Sequence, residues 1–231
     1  MRFLSFFILA PTAFAAPTDG PIQGRATQQC GRYQTHVSGN TIAWDATWSW
    51  SGGPTSVKSY TNIQQQSYPR KQLGQYASIP TTWKWRYTGT NLAANGEYHP
   101  SSNVAYDTFV GTFPNGANAF EVMVWLGLYG NISPLSSNGY PFTPISSPVI
   151  NGVQFDLTYG LNGNVKVYSF VARSRAATSF SGDFLNFYKY LQQNYASNGF
   201  NSNLYLQASQ AGTGVFTGSN AKFETTAHSI K

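Results

Sequence analysis

Glu121 stands in Ala119-Phe120-Glu121-Val122-Met123-Val124-Trp125-Leu126, which splits into two chemically different faces when read as a strand of period two. Phe120, Val122, Val124 and Leu126 make an apolar face, while Ala119, Glu121, Met123 and Trp125 set a lone carboxylate between a thioether and an indole. Upstream, Val104-Ala105-Tyr106-Asp107-Thr108-Phe109 is a second apolar strand that carries an acid. A hairpin over 110–118 would pair the two strands and bring Asp107 near Glu121. Two close carboxyls shift each other's pKa and can share a proton, which equips them for nucleophilic or acid–base work on a sugar. The residues alone leave two plainer readings open. Glu121 can be a solvated residue on a half-exposed strand, and Asp107 can satisfy a backbone group at a strand end.

Other chemistries find little support. The eight carboxylates are Asp19, Asp45, Glu97, Asp107, Glu121, Asp156, Asp183 and Glu224, and the three histidines are His36, His99 and His228. No Cys/His cluster has metal-ligand spacing, no Gly-rich loop precedes a helix in a phosphate-binding pattern, and no G-x-S-x-G elbow occurs. No metal and no cofactor are therefore expected. The net charge of +6 comes from scattered residues (Lys58, Arg70, Lys71, Lys84, Arg86, Arg173, Arg175, Lys189) with no run to track phosphates, so no nucleic-acid partner is expected.

The elements that must position these acids are short alternating runs: Ile42–Trp50, Ser56–Tyr60, Thr81–Tyr87, Val104–Phe109, Phe120–Leu128, Val153–Tyr159, Val165–Val171, Tyr205–Ala211 and Ala221–Ser229. Turn signals separate several of them: Ser51-Gly52-Gly53-Pro54, Pro114-Asn115-Gly116, Ser137-Asn138-Gly139 and Leu161-Asn162-Gly163-Asn164. With 16% aromatic and only 10% charged residues, the chain reads as an all-β, two-sheet antiparallel sandwich or jelly roll. One helical period runs from about 181 to 198, with Ser181 as cap, Asp183 in the first turn and Asn198-Gly199 at the end. The simplest arrangement packs that helix on the outside of the sandwich.

Residues 1–15 read as a secretory leader, with Arg2 at its positive end, Phe3 to Ala10 as the apolar run and Ala13-Phe14-Ala15 as an A-x-A cleavage site. Residues 16–231 then form one secreted domain, and no run is long enough to span a membrane. A single cysteine, Cys30, has no internal partner and is left for intermolecular pairing; otherwise a monomer is expected.

Seven segments occur in order: Trp48-Ser49-Trp50-Ser51-Gly52-Gly53, Val57-Lys58-Ser59-Tyr60, Ile79-Pro80-Thr81-Thr82-Trp83-Lys84-Trp85, Val104-Ala105-Tyr106-Asp107, Glu121-Val122-Met123-Val124-Trp125-Leu126, Tyr168-Ser169-Phe170-Val171-Ala172 and Phe216-Thr217-Gly218-Ser219-Asn220-Ala221-Lys222. Together they resemble the glycoside hydrolase family 12 endoglucanases, most of all the fungal xyloglucan-specific members, from about Cys30 to the C-terminus. The resemblance implies a jelly roll with a long concave cleft that cleaves β-1,4-glucan with retention. Retention needs two carboxyl groups about 5–5.5 Å apart. By the same resemblance Glu121 is the nucleophile, Asp107 the helper acid, and Met123 and Trp125 line the cleft.

Three departures accompany the likeness. The family's acid/base Glu lies in A-G-T-E-P-F-T-G, whereas this chain reads Ala211-Gly212-Thr213-Gly214-Val215-Phe216-Thr217-Gly218, with Gly214 at the acid's position. The family's N-terminal Cys-containing strand and its N-N-L-W-G segment find no match before Cys30. An insertion-like Asn95-Gly96-Glu97-Tyr98-His99-Pro100-Ser101-Ser102-Asn103 precedes the Asp107 strand, and Trp44-Asp45-Ala46 stands where the family has W-H-T. Glu97 and Asp45 are thus candidates for a rescuing acid. Three readings follow: an active secreted xyloglucan endoglucanase, an impaired or dead relative that binds β-glucan or a partner protein, and a decayed or mis-assembled gene.

Overall fold

The computed structural model describes residues 33–38, 41–50, 57, 59–65, 69–89 and 101–231. The leader over 1–15, Cys30, the 51–54 turn, Glu97 and His99 lie outside the described residues.

Alternating apolar and polar residues fold into two stacked sheets. The first has the order β1 (Tyr33–Ser38), β2 (Thr41–Trp50), β12 (Gly218–Ile230), β4 (Pro80–Gly89), β10 (Ser179–Asp183). The second runs β3 (Ser59–Gln64), β11 (Tyr205–Val215), β5 (Ser102–Gly111), β6 (Phe120–Tyr129), β9 (Val165–Ala172), β8 (Val153–Asn162), β7 (Val149–Ile150). The expected all-β sandwich is what forms, with one amendment: β6 and β9 pair in parallel, so the second sheet is mixed. β1, β7 and β10 are strands outside the expected alternating runs. β7 has only two residues, and β10 is the small, polar Ser-Phe-Ser-Gly-Asp, held in extended form by its pairing with β4.

The apolar face of β6 enters the core as its period predicts. Val122, Val124 and Leu126 have no exposed surface and share one cluster with Val104, Tyr106, Trp83, Trp85 and Phe223. Burial of each such side chain contributes about 1.5–3 kcal/mol. The alternation then breaks at a bulge, where the register shifts between Val104 and Ala105. Gly127 points inward like Leu126, and a Cβ there would lie 2.8 Å from the Trp85 ring, so only glycine fits. Beyond the bulge Leu128 emerges on the opposite, concave face, in a smaller cluster with Trp125.

The helix is shorter than expected. α1 spans Leu185–Asn194, followed by a 3-10 turn over Ala196–Asn198 that Gly199 ends at φ 93°. Ser181 is paired with Thr82 inside β10 and caps nothing. Asp183 does the anchoring instead, with one carboxyl oxygen accepting from the Leu185 and Ile79 N–H groups at 3.0 and 2.7 Å. Leu185, Phe187, Tyr188 and Leu191 are buried, with the Phe187 ring 5.2 Å from that of Phe155 and 5.1 Å from that of Phe170. One face of the helix therefore belongs to the core.

Candidate active site

The hairpin that joins β5 and β6 sets the register of the two acids. Asp107 pairs with Met123 and Glu121 with Phe109, so both carboxyls are diagonal neighbours on the concave face. They are 7% and 2% exposed. Burial pushes the Glu121 pKa up to about 7, against a smaller downward pull from a hydrogen bond with the Asn162 side chain. Burial, and then the Glu121 charge, hold Asp107 well above the usual carboxylate range. Asp107 Oδ1 has no hydrogen-bond partner among the described residues, as suits a neutral acid. The plainer readings of both residues are thereby removed: Glu121 is not solvated, and Asp107 lies in mid-strand.

Three neighbours complete the site. Gln210 of β11 pairs with Asp107 from the other side. Tyr60 of β3 stands across from Gly214, and its hydroxyl donates to the Ala105 carbonyl at 3.0 Å. Burial pushes the Tyr60 phenol up, and the nearby Asp107 and Glu121 charges push it further. β11 lies between β3 and β5, so the Tyr60 hydroxyl reaches Ala105 across that strand. Asn162 sits at the β8–β9 turn, where Gly163 takes the left-handed φ of 58°.

Gly214 does not lie directly across from Glu121 in the register. It pairs with Asn103, whereas Glu121 pairs with Phe109. Between the Asn103 and Asp107 rows lies the small pair Ala105 and Gly212, so a long side chain at 214 would have to lean over that row. Met123 is half-buried beside the acids. Trp125 is on the same face but only 4% exposed, with its indole N–H donating to the Met123 sulfur at 3.4 Å.

The other described carboxylates are committed elsewhere. Asp45 lies on the outer face of the first sheet, 3.0 Å from Lys222, and so is no rescuing acid. Glu224 meets Lys222 and Arg86, Asp156 meets Arg173, and Asp183 anchors the helix. Among the described residues, the Glu121–Asp107 pair is the one place where an ionisable carboxylate and a neutral acid adjoin. That pair sets a carboxylate able to attack an electrophilic carbon beside a carboxyl that burial keeps protonated.

Sequence reasoning passed over Tyr60, Gln210 and Asn162. Tyr60 appeared only inside a longer motif, and Asn162 only as a turn residue. No local signal exists for Asn162, because its contact with Glu121 spans the intervening β9.

The model of the family described as "Glycosyl hydrolase family 12" matches residues 22–231. The chain is 47% identical over 193 residues to "Xyloglucan-specific endo-beta-1,4-glucanase A" of Aspergillus aculeatus, covering 84% of this chain and 74% of that one. It is 44% identical over 211 residues to the "Probable xyloglucan-specific endo-beta-1,4-glucanase A" of Aspergillus fumigatus, covering 91% and 82%. Among solved structures it is similar to endoglucanase 3 of Trichoderma harzianum, with a TM-score of 0.74, 35% identity and coverage of 86% and 82%. The catalytic domain of Humicola grisea Cel12A, in complex with a soaked thio cellotetraose, gives a TM-score of 0.73 at 31% identity, covering 89% and 87%.

Proposed function

Because the chain belongs to glycosyl hydrolase family 12, we propose that it acts on β-1,4-glucan chains, xyloglucan first among them, as an endo-acting retaining glycosidase with Glu121 as its nucleophile. The observation that carries this reading is the buried Glu121–Asp107 pair on the concave face. Ionised Glu121 attacks the anomeric carbon as the C–O bond to the leaving sugar breaks, giving a covalent glycosyl ester. The departing oxygen takes its proton from water, and a further water hydrolyses the ester, freeing the new reducing end and regenerating Glu121. Neutral Asp107 steadies the attacking carboxyl through the proton it holds. Met123 lines the cleft, and Trp125 supports Met123 from below.

Gly214 leaves the departing oxygen without the family's proton donor. Loss of general-acid help lowers rates by about 10²–10⁴-fold, so turnover of natural polysaccharide is slow and substrates with good leaving groups are favoured. Secretion follows from the leader-like residues 1–15, and Cys30 remains for an intermolecular bond. The test is reducing-end release from xyloglucan by the purified protein beside Glu121→Gln. Release that persists in Glu121→Gln overturns the assignment of Glu121. A second reading, a glucan-binding protein without turnover, draws on Gly214 and on the Asn103 side chain that fills the space beside it. It is upheld if the parent binds xyloglucan and releases no reducing ends.

A further inference from the structure

Trp125 cannot offer a ring face to a sugar, since Ala105, Leu128, Ile132, Val171 and Phe216 surround it and Phe142 packs on that cluster. The cover comes from the segment between β6 and β7. Leaving β6, this segment delivers Ile132 to the Trp125 cluster and then lies on the concave side of β8. There the Thr158 hydroxyl donates to the Leu135 carbonyl at 2.9 Å, and a Cβ on Gly160 would come within 2.9 Å of Leu135. The return is fastened by the Ile145 N–H to the Leu157 carbonyl and the Leu157 N–H to the Ser146 carbonyl, both 2.8 Å.

Tyr140 lies in this segment just after the turn at 137–138, two residues before Phe142, and is 66% exposed. Its hydroxyl donates to the Asn131 carbonyl at 3.0 Å, which ties the tip of the ring back to the start of the same segment. Resting on the glucan reading above, we propose that Tyr140 is a sugar-stacking residue on the wall of the concave face, presenting to a β-1,4-glucan chain the aromatic surface that Trp125 withholds. A pyranose ring has an apolar C–H face that matches a flat aromatic ring, and Tyr combines such a face with a polar tip. The tethered hydroxyl holds the ring in place before a ligand arrives, so less side-chain freedom is lost on binding. Phe113, 68% exposed on the β5–β6 hairpin before the start of β6, serves as a control ring.

The experiment measures affinity for xyloglucan by isothermal titration in a Glu121→Gln parent, which cannot turn the polymer over. Tyr140→Ala is expected to bind about 3- to 10-fold more weakly, the range of a single aromatic contact. Tyr140→Phe keeps the ring and loses less. Phe113→Ala binds like the parent. Unchanged affinity in Tyr140→Ala overturns the proposal, as does an equal loss in Phe113→Ala. No binding by the parent overturns the glucan reading itself, and the subsite with it.

Discussion

The backbone N–H of Gly214 donates to Asn103 Oδ1 over 2.8 Å, and a Cβ built on Gly214 would fall 2.6 Å from that same oxygen. The carboxamide thus occupies the volume a side chain at 214 would need. Asn103 is buried, its carbonyl accepting from the Thr213 hydroxyl at 2.8 Å and the Tyr87 hydroxyl at 3.2 Å. The two residues are packed for one another, and a larger side chain at 214 has to displace a bonded group.

Gly214→Glu is expected to raise turnover of xyloglucan by about 10²–10⁴-fold, the usual worth of a general acid. Displacing Asn103 should cost roughly 1–3 kcal/mol of stability, which a denaturant titration would read. The new carboxyl must lean over the Ala105–Gly212 row toward Glu121, where the Tyr60 hydroxyl already bonds the Ala105 carbonyl. A stable Gly214→Glu protein without any gain would show that this row, and not the missing acid, limits the reaction.

Glu121→Gln should abolish glycosidase activity and yet stabilise the fold at neutral pH. The folded pKa of about 7 lies above the ordinary 4.5, so the native state binds the extra proton between those values. The stability given by the neutral carboxyl is complete below pH 4.5 and is lost as pH rises through 7. Gln removes that loss, with a gain at pH 8 of up to about 3 kcal/mol and little at pH 4. Urea midpoints at the two pH values check it, and a variant less stable than the parent at pH 8 counts against a buried, uncompensated Glu121.

The two faces of β6, the Asp107 strand and the sandwich were legible because period-two alternation is enforced by burial on one side. The reading failed where tertiary contacts overrule local pattern. Ser181 has every local qualification as a helix cap but is drawn into β10 by pairing with Thr82. The Leu126–Gly127 bulge is invisible to periodicity, since it depends on the partner strand at Val104. Trp125 does lie on the concave face as its position in the strand requires, but a segment some twenty residues long, read only as turns and loop, covers it. Asn162 and Tyr60 reach the acids across intervening strands, a distance that no sequence spacing encodes.

His228 should set the acid limit of the fold. Burial pushes its pKa down to about 3, its Nε2 has no partner among the described residues, and the Trp44, Trp83 and Tyr106 rings lie 5.9, 5.4 and 5.7 Å away. Because the folded pKa is below the ordinary 6.5, stability is complete above pH 6.5 and falls as pH drops toward 3. Between pH 7 and pH 4 this single group removes about 3 kcal/mol. His228→Leu, close in volume, should shrink that fall by a similar amount. An unchanged difference between unfolding at the two pH values would place the acid sensitivity elsewhere.

Gly212→Ala tests how the site is held from the β3 side. A Cβ there would collide with the Thr61 carbonyl oxygen and come within 2.7 Å of the Asn62 Cα, both backbone atoms that no rotamer change can move. β3 pairs with β11 from Ser59 to Gln64, so the clash should force the two strands apart at a cost of roughly 1–3 kcal/mol. Tyr60 would then be pulled from the Ala105 carbonyl, opening one side of the Asp107–Glu121 pair to water. Better solvation lowers a buried carboxyl, so the pH at which Glu121 ionises should fall from about 7 toward its ordinary 4.5. Hydrogen exchange should speed up at Thr61 and Ile63 while the Val122 and Val124 amides of β6 stay protected. Equal protection in both strands, with the Glu121 titration unmoved, would mean that β3 does not shield the acids.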